Sequence, residues 1–215
     1  MTARGCFITL EGLDGAGKST HISWIEEILR SAGVELLCTR EPGGTPLGEE
    51  LRNLLLHRTM DLRTEALLMF AARNEHWQTR ILPALERGQW VLCDRYTDAS
   101  YAYQGGGREL GGAAVAILED WVQRGQGPDC TVLFDVPLEI ARERLGRTRD
   151  QADRFEREGS AFFERTRRAY LDRVAADPGR FHVVDASRSL SEIRTDLADF
   201  FQGLLRSHGR TGALS

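Results

Sequence analysis

Short runs of apolar, β-favouring residues alternate along the chain with longer stretches whose apolar positions recur every three or four residues. The short runs are Cys6-Phe7-Ile8-Thr9-Leu10, Val34-Glu35-Leu36-Leu37-Cys38, Trp90-Val91-Leu92-Cys93, Thr131-Val132-Leu133-Phe134 and Phe181-His182-Val183-Val184. Each has the length and residue types of a buried strand. Between the first two, Ile22, Ile25, Ile28 and Leu29 mark one face of a helix over 19–32, which Gly33 stops. The same spacing predicts helices over 46–56, 64–87, 113–124, 138–145, 160–176 and 190–205. Short apolar strands separated by helices need cover on both faces, so the pattern predicts an α/β fold built on a parallel sheet. Two segments break the alternation. Residues 147–154 are densely charged, and Gln104-Gly105-Gly106-Gly107-Arg108 is a glycine cluster without strand character. Both read as loops that move or touch a ligand. The polar tail over 208–215 reads as frayed.

Length and charge narrow the picture. A chain of 215 residues fits one domain. It contains no apolar run long enough to cross a membrane. Met1 to Gly5 lead directly into the first strand, which leaves no room for a signal peptide. The four cysteines, Cys6, Cys38, Cys93 and Cys130, are far apart and lie in or beside apolar runs. They read as small buried hydrophobes of a cytosolic protein rather than a disulfide framework or zinc module. The net charge of −4 argues against a nucleic-acid partner. Of the 28 basic residues 27 are Arg, and the one Lys is Lys18.

That Lys sits in Gly12-Leu13-Asp14-Gly15-Ala16-Gly17-Lys18-Ser19, which fits GxxxxGK[ST] between the first strand and the first helix. Glycines let main-chain N–H groups turn toward phosphate oxygens, and a helix N-terminus adds positive potential. Lys18 can reach the terminal phosphates of a nucleotide, and the Ser19 hydroxyl can ligate Mg²⁺. Residues 12 to 20, ending on Thr20, are the candidate ATP-binding segment. A guanine-reading loop of the Asn/Thr-Lys-x-Asp kind would need a second Lys, which argues against a nucleotide switch.

Candidate partners for this cradle follow the other strands. Asp94, at the end of the third strand, is placed to hold Mg²⁺ or its water, and Arg95 beside it can bridge phosphates. Thr39-Arg40-Glu41-Pro42-Gly43-Gly44-Thr45 forms a stiff loop after the second strand, followed by Arg52 on a helix facing an acceptor phosphate. Phe70 and Arg73 share a helix face, an aromatic ring to stack a base and a guanidinium to bond its edge. Arg147, Arg149 and Arg154 could stabilise the charge of a transferring phosphoryl group if their loop closes over the cradle. Each also has a plain reading: a helix cap, a core aromatic, a solvated charge.

With these residues assembled, the chain resembles bacterial thymidylate kinases over about residues 5–205. The marks are Gly12–Ser19, 39–45, Asp94-Arg95-Tyr96, Tyr103-Gln104-Gly105-Gly106-Gly107-Arg108 and Asp153-Arg154-Phe155-Glu156. The resemblance implies a three-layer P-loop nucleotide-kinase fold with a five-stranded parallel sheet and a short lid at about 146–155. It implies transfer of the γ-phosphoryl group of ATP to dTMP with Mg²⁺, in a cytoplasmic homodimer. It implies catalytic roles for Lys18, Arg95, Asp14 and the lid arginines Arg147 and Arg149. It implies acceptor contacts from Glu41, Arg52, Phe70, Arg73, Arg95 and Gln104, with Glu11 and Asp94 close to the metal. In relatives the stacking Phe lies four residues before the Arg; here Met69 holds that position, so either Phe70 or Met69 covers the base. A deoxynucleoside kinase, with Glu41 as its base, is the competing enzyme class.

Overall fold

The computed structural model describes residues 4–148, 154–155 and 158–209, with only the backbone at 147 and 148. Five strands, β1 (Phe7–Gly12), β2 (Leu36–Arg40), β3 (Trp90–Asp94), β4 (Cys130–Asp135) and β5 (Phe181–Asp185), form one sheet in the order β2-β3-β1-β4-β5. Every pair is parallel. All six residues of β1 are buried, as a central strand covered on both faces requires. Its side chains alternate between the two faces. Cys6, Ile8 and Leu10 pack with α1 (Lys18–Ser31) and α9 (Leu190–Ser207), which contributes Ile193, Leu197, Phe201 and Leu205 at four-residue spacing. Phe7 points to the other layer and meets Trp77 and Tyr96. Thr9 and Glu11 share that second face and are fully buried.

The other helices are α2 (Pro46–His57), α3 (Leu62–His76), α4 (Leu82–Glu86), α5 (Thr97–Ser100), α6 (Gly112–Gln123), α7 (Leu138–Thr148) and α8 (Ser160–Ala176). The single helix predicted over 64–87 is instead α3, a π-turn at Trp77–Ile81, and α4. Pro83 explains the interruption. It has no N–H to donate, and its ring would strike the carbonyl of the residue four back. The helix widens, and the Leu82 N–H reaches back five residues to the Trp77 carbonyl.

The glycine cluster is also corrected. Tyr101–Gly107 is a π-helical continuation of α5, not a loop, and Ala102, Tyr103, Gln104, Gly105 and Gly107 are buried in it. It packs flat against α8. A Cβ at Gly106 would lie 2.6 Å from Ala169 Cβ, and one at Gly107 would lie 2.6 Å from the Phe162 ring. The glycines therefore serve close helix contact rather than mobility. Of the lid expected at 146–155, α7 runs through Thr148 and 154–155 form a turn; 149–153 lie outside the described residues. The tail expected from 208 begins as a turn at 208–209, and the rest lies outside them.

The Gly106–Gly107 contact is testable. Gly107→Ala should destabilise the protein by about 1–3 kcal/mol through overpacking, lowering Tm by several degrees in a calorimetric melt. An unchanged Tm would show that α8 can move away at no cost.

Candidate active site

The register of the sheet brings the ends of its central strands together. Leu10 of β1 pairs with Asp94, and Gly12 pairs with Phe134 of β4. The chain leaves β1 and β3 in different directions there, which opens a crevice at their carboxyl ends. A cleft of about 460 Å³ occupies it.

One wall is the loop from Gly12 to Lys18. Gly17 takes φ 93°, the left-handed conformation, as the residue before α1. Side chains cap α2, α3 and α9 through Thr45, Asp61 and Ser189. No side chain caps α1, and its first turn holds no acidic residue. The Thr20 N–H donates to the Gly17 carbonyl at 3.1 Å, and the N–H groups before it face the loop, where an anion would sit. Lys18 Nζ donates to the Gly12 carbonyl at 3.1 Å. Burial, followed by the positive charge of Arg95, lowers its pKa to about 8. Leu13, Asp14, Gly15, Gly17, Ser19 and Thr20 also line the cleft. Ala16 faces the core instead, with Ile25 and Leu29.

Arg95 stands opposite. Its backbone is left-handed, with φ 67°, a conformation a side chain adopts only at a cost. The guanidinium donates to the Gly12 carbonyl at 2.8 Å, Tyr170 Oη at 3.1 Å, Asp14 Oδ1 at 2.7 Å and Tyr103 Oη at 3.0 Å. Tyr103 Oη in turn donates to Asp14 Oδ2 at 2.9 Å. Burial works against the charge of Asp14, but Arg95 and Lys18 outweigh it and hold its carboxyl below the ordinary range.

Asp94 Oδ1 is buried in this wall without a hydrogen-bond partner, an orphaned acceptor beside the phosphate loop. Glu11, expected near the metal, is engaged within the protein. Its Oε1 accepts from the N–H groups of Tyr96 and Ala99, and its Oε2 accepts from Tyr170 Oη. Both oxygens are spent anchoring the start of α5, and Glu11 does not reach the cleft. Burial, with Asp98 nearby, pushes its carboxyl up to about 7.

The far end holds a buried ion pair. Arg73 Nε donates to Glu41 Oε2 at 2.7 Å, and its other nitrogens donate to Ser100 Oγ and the Tyr96 carbonyl. Glu41 Oε1 accepts from His76 Nδ1 at 3.0 Å, and His76 Nε2 pairs with Thr39 Oγ1. Glu41 lines the cleft as well, and its carboxylate holds Arg73 and His76 in place. Arg52 donates to the Pro42 carbonyl and borders the cleft.

Phe70 is not brought to the cleft. It is buried beneath Arg73, with the guanidinium 4.5 Å above its ring. Met69 lines the cleft in its place, with Leu56, Tyr103 and Phe155. The three-residue spacing put Phe70 and Arg73 on one helical face, but that face looks inward at Phe70. Gln104 lines the cleft, its Nε2 donating to Glu65 Oε1 at 2.8 Å. Arg149 lies outside the described residues, as does the side chain of Arg147. Arg144 of α7, which the charge pattern did not single out, borders the loop: a Cβ at Gly17 would lie 3.7 Å from its Nη1.

An uncapped helix start with its Lys on one wall, and a set of guanidiniums fixed on the other, can seat two phosphorylated molecules end to end. On this parallel sheet, that arrangement defines a P-loop nucleotide kinase. A family model described as thymidylate kinase matches residues 10–197. The chain is 61% identical over 204 residues to a thymidylate kinase of Bordetella petrii, spanning 95% of this chain and 98% of that one. It is 62% identical over 198 residues to one of Cupriavidus necator, spanning 90% and 96%. It is 57% identical over 204 residues to one of Thiobacillus denitrificans, spanning 95% and 100%. The chain belongs to the thymidylate kinase family.

Lys18 supplies a prediction with a definite sign. Its pKa of about 8 lies below the 10.5 of an unburied Lys, so the empty folded protein binds fewer protons than the unfolded chain between those values. The stability linked to Lys18 is therefore fully present above pH 10.5 and is lost as pH falls through about 8. A polyphosphate against Nζ would restore the proton. Nucleotide binding at pH 8.5 should take up protons, read by calorimetry in buffers of different ionisation enthalpy, and Lys18→Met should abolish the uptake. Uptake that persists in the variant would assign it to another group.

Proposed function

We propose that this cleft transfers the γ-phosphoryl group of ATP to the phosphate of dTMP, giving dTDP and ADP by direct in-line displacement. The observation that carries this reading is the meeting of the uncapped start of α1 with Arg95, Arg52 and Arg73 in one crevice. The triphosphate lies on the main-chain N–H groups of residues 12–20, with Lys18 on its outer phosphates. Arg95 and Arg52 hold the acceptor phosphate. Arg73 and Gln104 meet the base edge, and Met69 and Phe155 cover its faces.

A phosphate oxygen of dTMP forms the new bond to the γ-phosphorus. The bridging oxygen departs on ADP with the electron pair of the broken bond. The acceptor is already an anion at neutral pH, so alignment and charge neutralisation suffice and no general base is needed. That separates this reading from a deoxynucleoside kinase, whose base would have to be Glu41, a carboxylate here held by Arg73 and His76. Asp94 and Ser19 are the residues that would hold Mg²⁺, and the orphaned Asp94 Oδ1 fits that use. Held there, the ion would supply neutralisation of the phosphate charge. Arg147 and Arg149 belong to the same proposal as donors to the transferring group.

The second part of the proposal is a homodimer in the cytoplasm. Leu67 on α3 and Ile117 and Trp121 on α6 are exposed at 52%, 71% and 71%, and α3 and α6 pack side by side. An apolar surface of this kind on a globular chain suits a second copy of itself. No described helix is long and apolar enough to cross a membrane.

A coupled ADP-release assay across dTMP, dUMP, thymidine, AMP and GMP should give by far the highest kcat/KM with dTMP. In the same assay Lys18→Ala should abolish transfer, and Arg147→Ala or Arg149→Ala should lower kcat by about 10³ for whichever reaches the transition state. Normal turnover by Lys18→Ala would overturn the phosphate assignment. Light scattering should show a dimer that Trp121→Glu converts to monomer; a monomeric parent protein would sink the dimer.

A further inference from the structure

Behind Gln104, outside the lining of the cleft, lies a buried carboxylate that the transfer reaction does not use. Glu65, in the first turn of α3, is 1% exposed. Its Oε1 accepts from Gln104 Nε2 at 2.8 Å, and its Oε2 is ion-paired with Arg154 at 2.6 Å and Arg108 at 3.6 Å. Those arginines are themselves seated on aromatic rings. Arg154 lies 4.8 Å over Phe155, and Arg108 lies 5.3 Å over Phe162. A buried carboxylate faced by two guanidiniums can only accept hydrogen bonds. It therefore dictates which end of the Gln104 amide turns toward it. The NH₂ must face Glu65, and the carbonyl oxygen must face away.

Gln104 itself lines the cleft, next to Ser100 and Arg73. Its Oε1 accepts nothing from the described residues, so an acceptor is presented where the NH₂ of a freely rotating Gln could stand. Arg73 presents only donors alongside it. Together they offer donor and acceptor in sequence. The edge of a 2,4-dioxopyrimidine is the complement, with a carbonyl oxygen at C4 and an N–H at N3. Cytosine reverses both positions, with an amino group at C4 and a bare nitrogen at N3.

We infer that Glu65 is a positioning residue for acceptor specificity: it locks the Gln104 carbonyl toward the base and so selects dioxopyrimidine monophosphates over cytosine ones. The inference rests on the acceptor reading given above. It also explains the expense of the cluster. A pocket that merely had the right shape would separate thymine from cytosine poorly. One built to receive an N–H leaves a buried acceptor unpaired when the wrong base enters.

Glu65→Gln tests this with almost no change of shape. The two arginines would hold the new side chain's carbonyl, leaving its NH₂ toward Gln104. Gln104 would then turn its own carbonyl inward and its NH₂ to the base. The ratio of kcat/KM for dTMP over dCMP should fall at least about tenfold. Most of the loss with dTMP should appear in KM rather than kcat. Glu65→Asp, which keeps an acceptor-only group, should retain most of the ratio. A folded Glu65→Gln protein with an unchanged ratio overturns the inference. Should that variant fail to fold by circular dichroism, Gln104→Leu decides: without an acceptor at 104 the ratio must fall, and an unchanged ratio overturns the inference equally. Absence of dTMP turnover in the parent protein would sink the acceptor reading and this inference with it. A strong dTMP preference that ignores residue 65 sinks this inference alone.

Discussion

The guanidinium of Arg95 closes the two sides of the crevice on each other. One of its nitrogens reaches the Gly12 carbonyl and Tyr170, and another reaches Asp14 and Tyr103. It thus ties the end of β1, the phosphate loop, the π-helical segment and α8 to a single planar group. The left-handed backbone at Arg95 is the strain that puts it there. Without that residue, the loop would have to be shaped by its glycines alone, and glycine fixes nothing. The bonds also explain the buried phenols. Tyr103 and Tyr170 sit with their rings in the core and their hydroxyls in the network, so each satisfies a polar atom at the boundary between packing and chemistry.

The same economy governs the other buried charges. Glu11, Glu41 and Glu65 are each at most 4% exposed, a position that would cost several kcal/mol for an unpaired carboxylate. Each is offset by donors that a functional element supplies. Glu11 takes the first N–H groups of α5, Glu41 takes Arg73 and His76, and Glu65 takes Gln104 and two arginines. Glu11 and Glu65 do not border the cleft, and Glu41 borders it while holding Arg73. What they do is fix where the ligand-facing groups point. A fixed donor does not have to reorganise when charge moves, which is the physical source of electrostatic catalysis and of base selection alike.

Much of this was legible in the residues. The strands, the phosphate loop and the crevice follow from short apolar runs, one motif and the chain's alternation, because these depend on local pattern. The failures came where tertiary contact decides. Phe70 and Arg73 do share a helix face, but periodicity cannot say which rung faces the cleft; Met69 does, and Phe70 supports Arg73 from below. Three glycines in a row read as a mobile loop, yet the missing side chains of Gly106 and Gly107 serve the approach of α8, a neighbour more than fifty residues away. Glu11 stands beside the motif, but nothing in its neighbourhood along the chain shows that it anchors the helix start that follows β3. Glu65 carried no signal, since a Glu in the first turn of a helix is an ordinary choice.

The distribution of cations can be argued from the same geometry. A chain with 27 Arg and one Lys keeps the Lys at the one place where a fork would not fit. Lys18 lies under its own loop, buried, bonded to the Gly12 carbonyl and crowded by Arg95. A compact ammonium can sit there and still turn one proton outward, and its pKa can fall when no anion is present. A guanidinium would need more room and would stay charged in an empty cleft, in direct conflict with Arg95. The opposite wall needs the reverse properties. Arg95 and Arg73 each grip several protein acceptors while facing the cleft, which takes a rigid planar group with five donors. The two walls therefore differ in kind as well as in position. The loop side tolerates loss of charge when empty, and the arginine side holds its charge throughout.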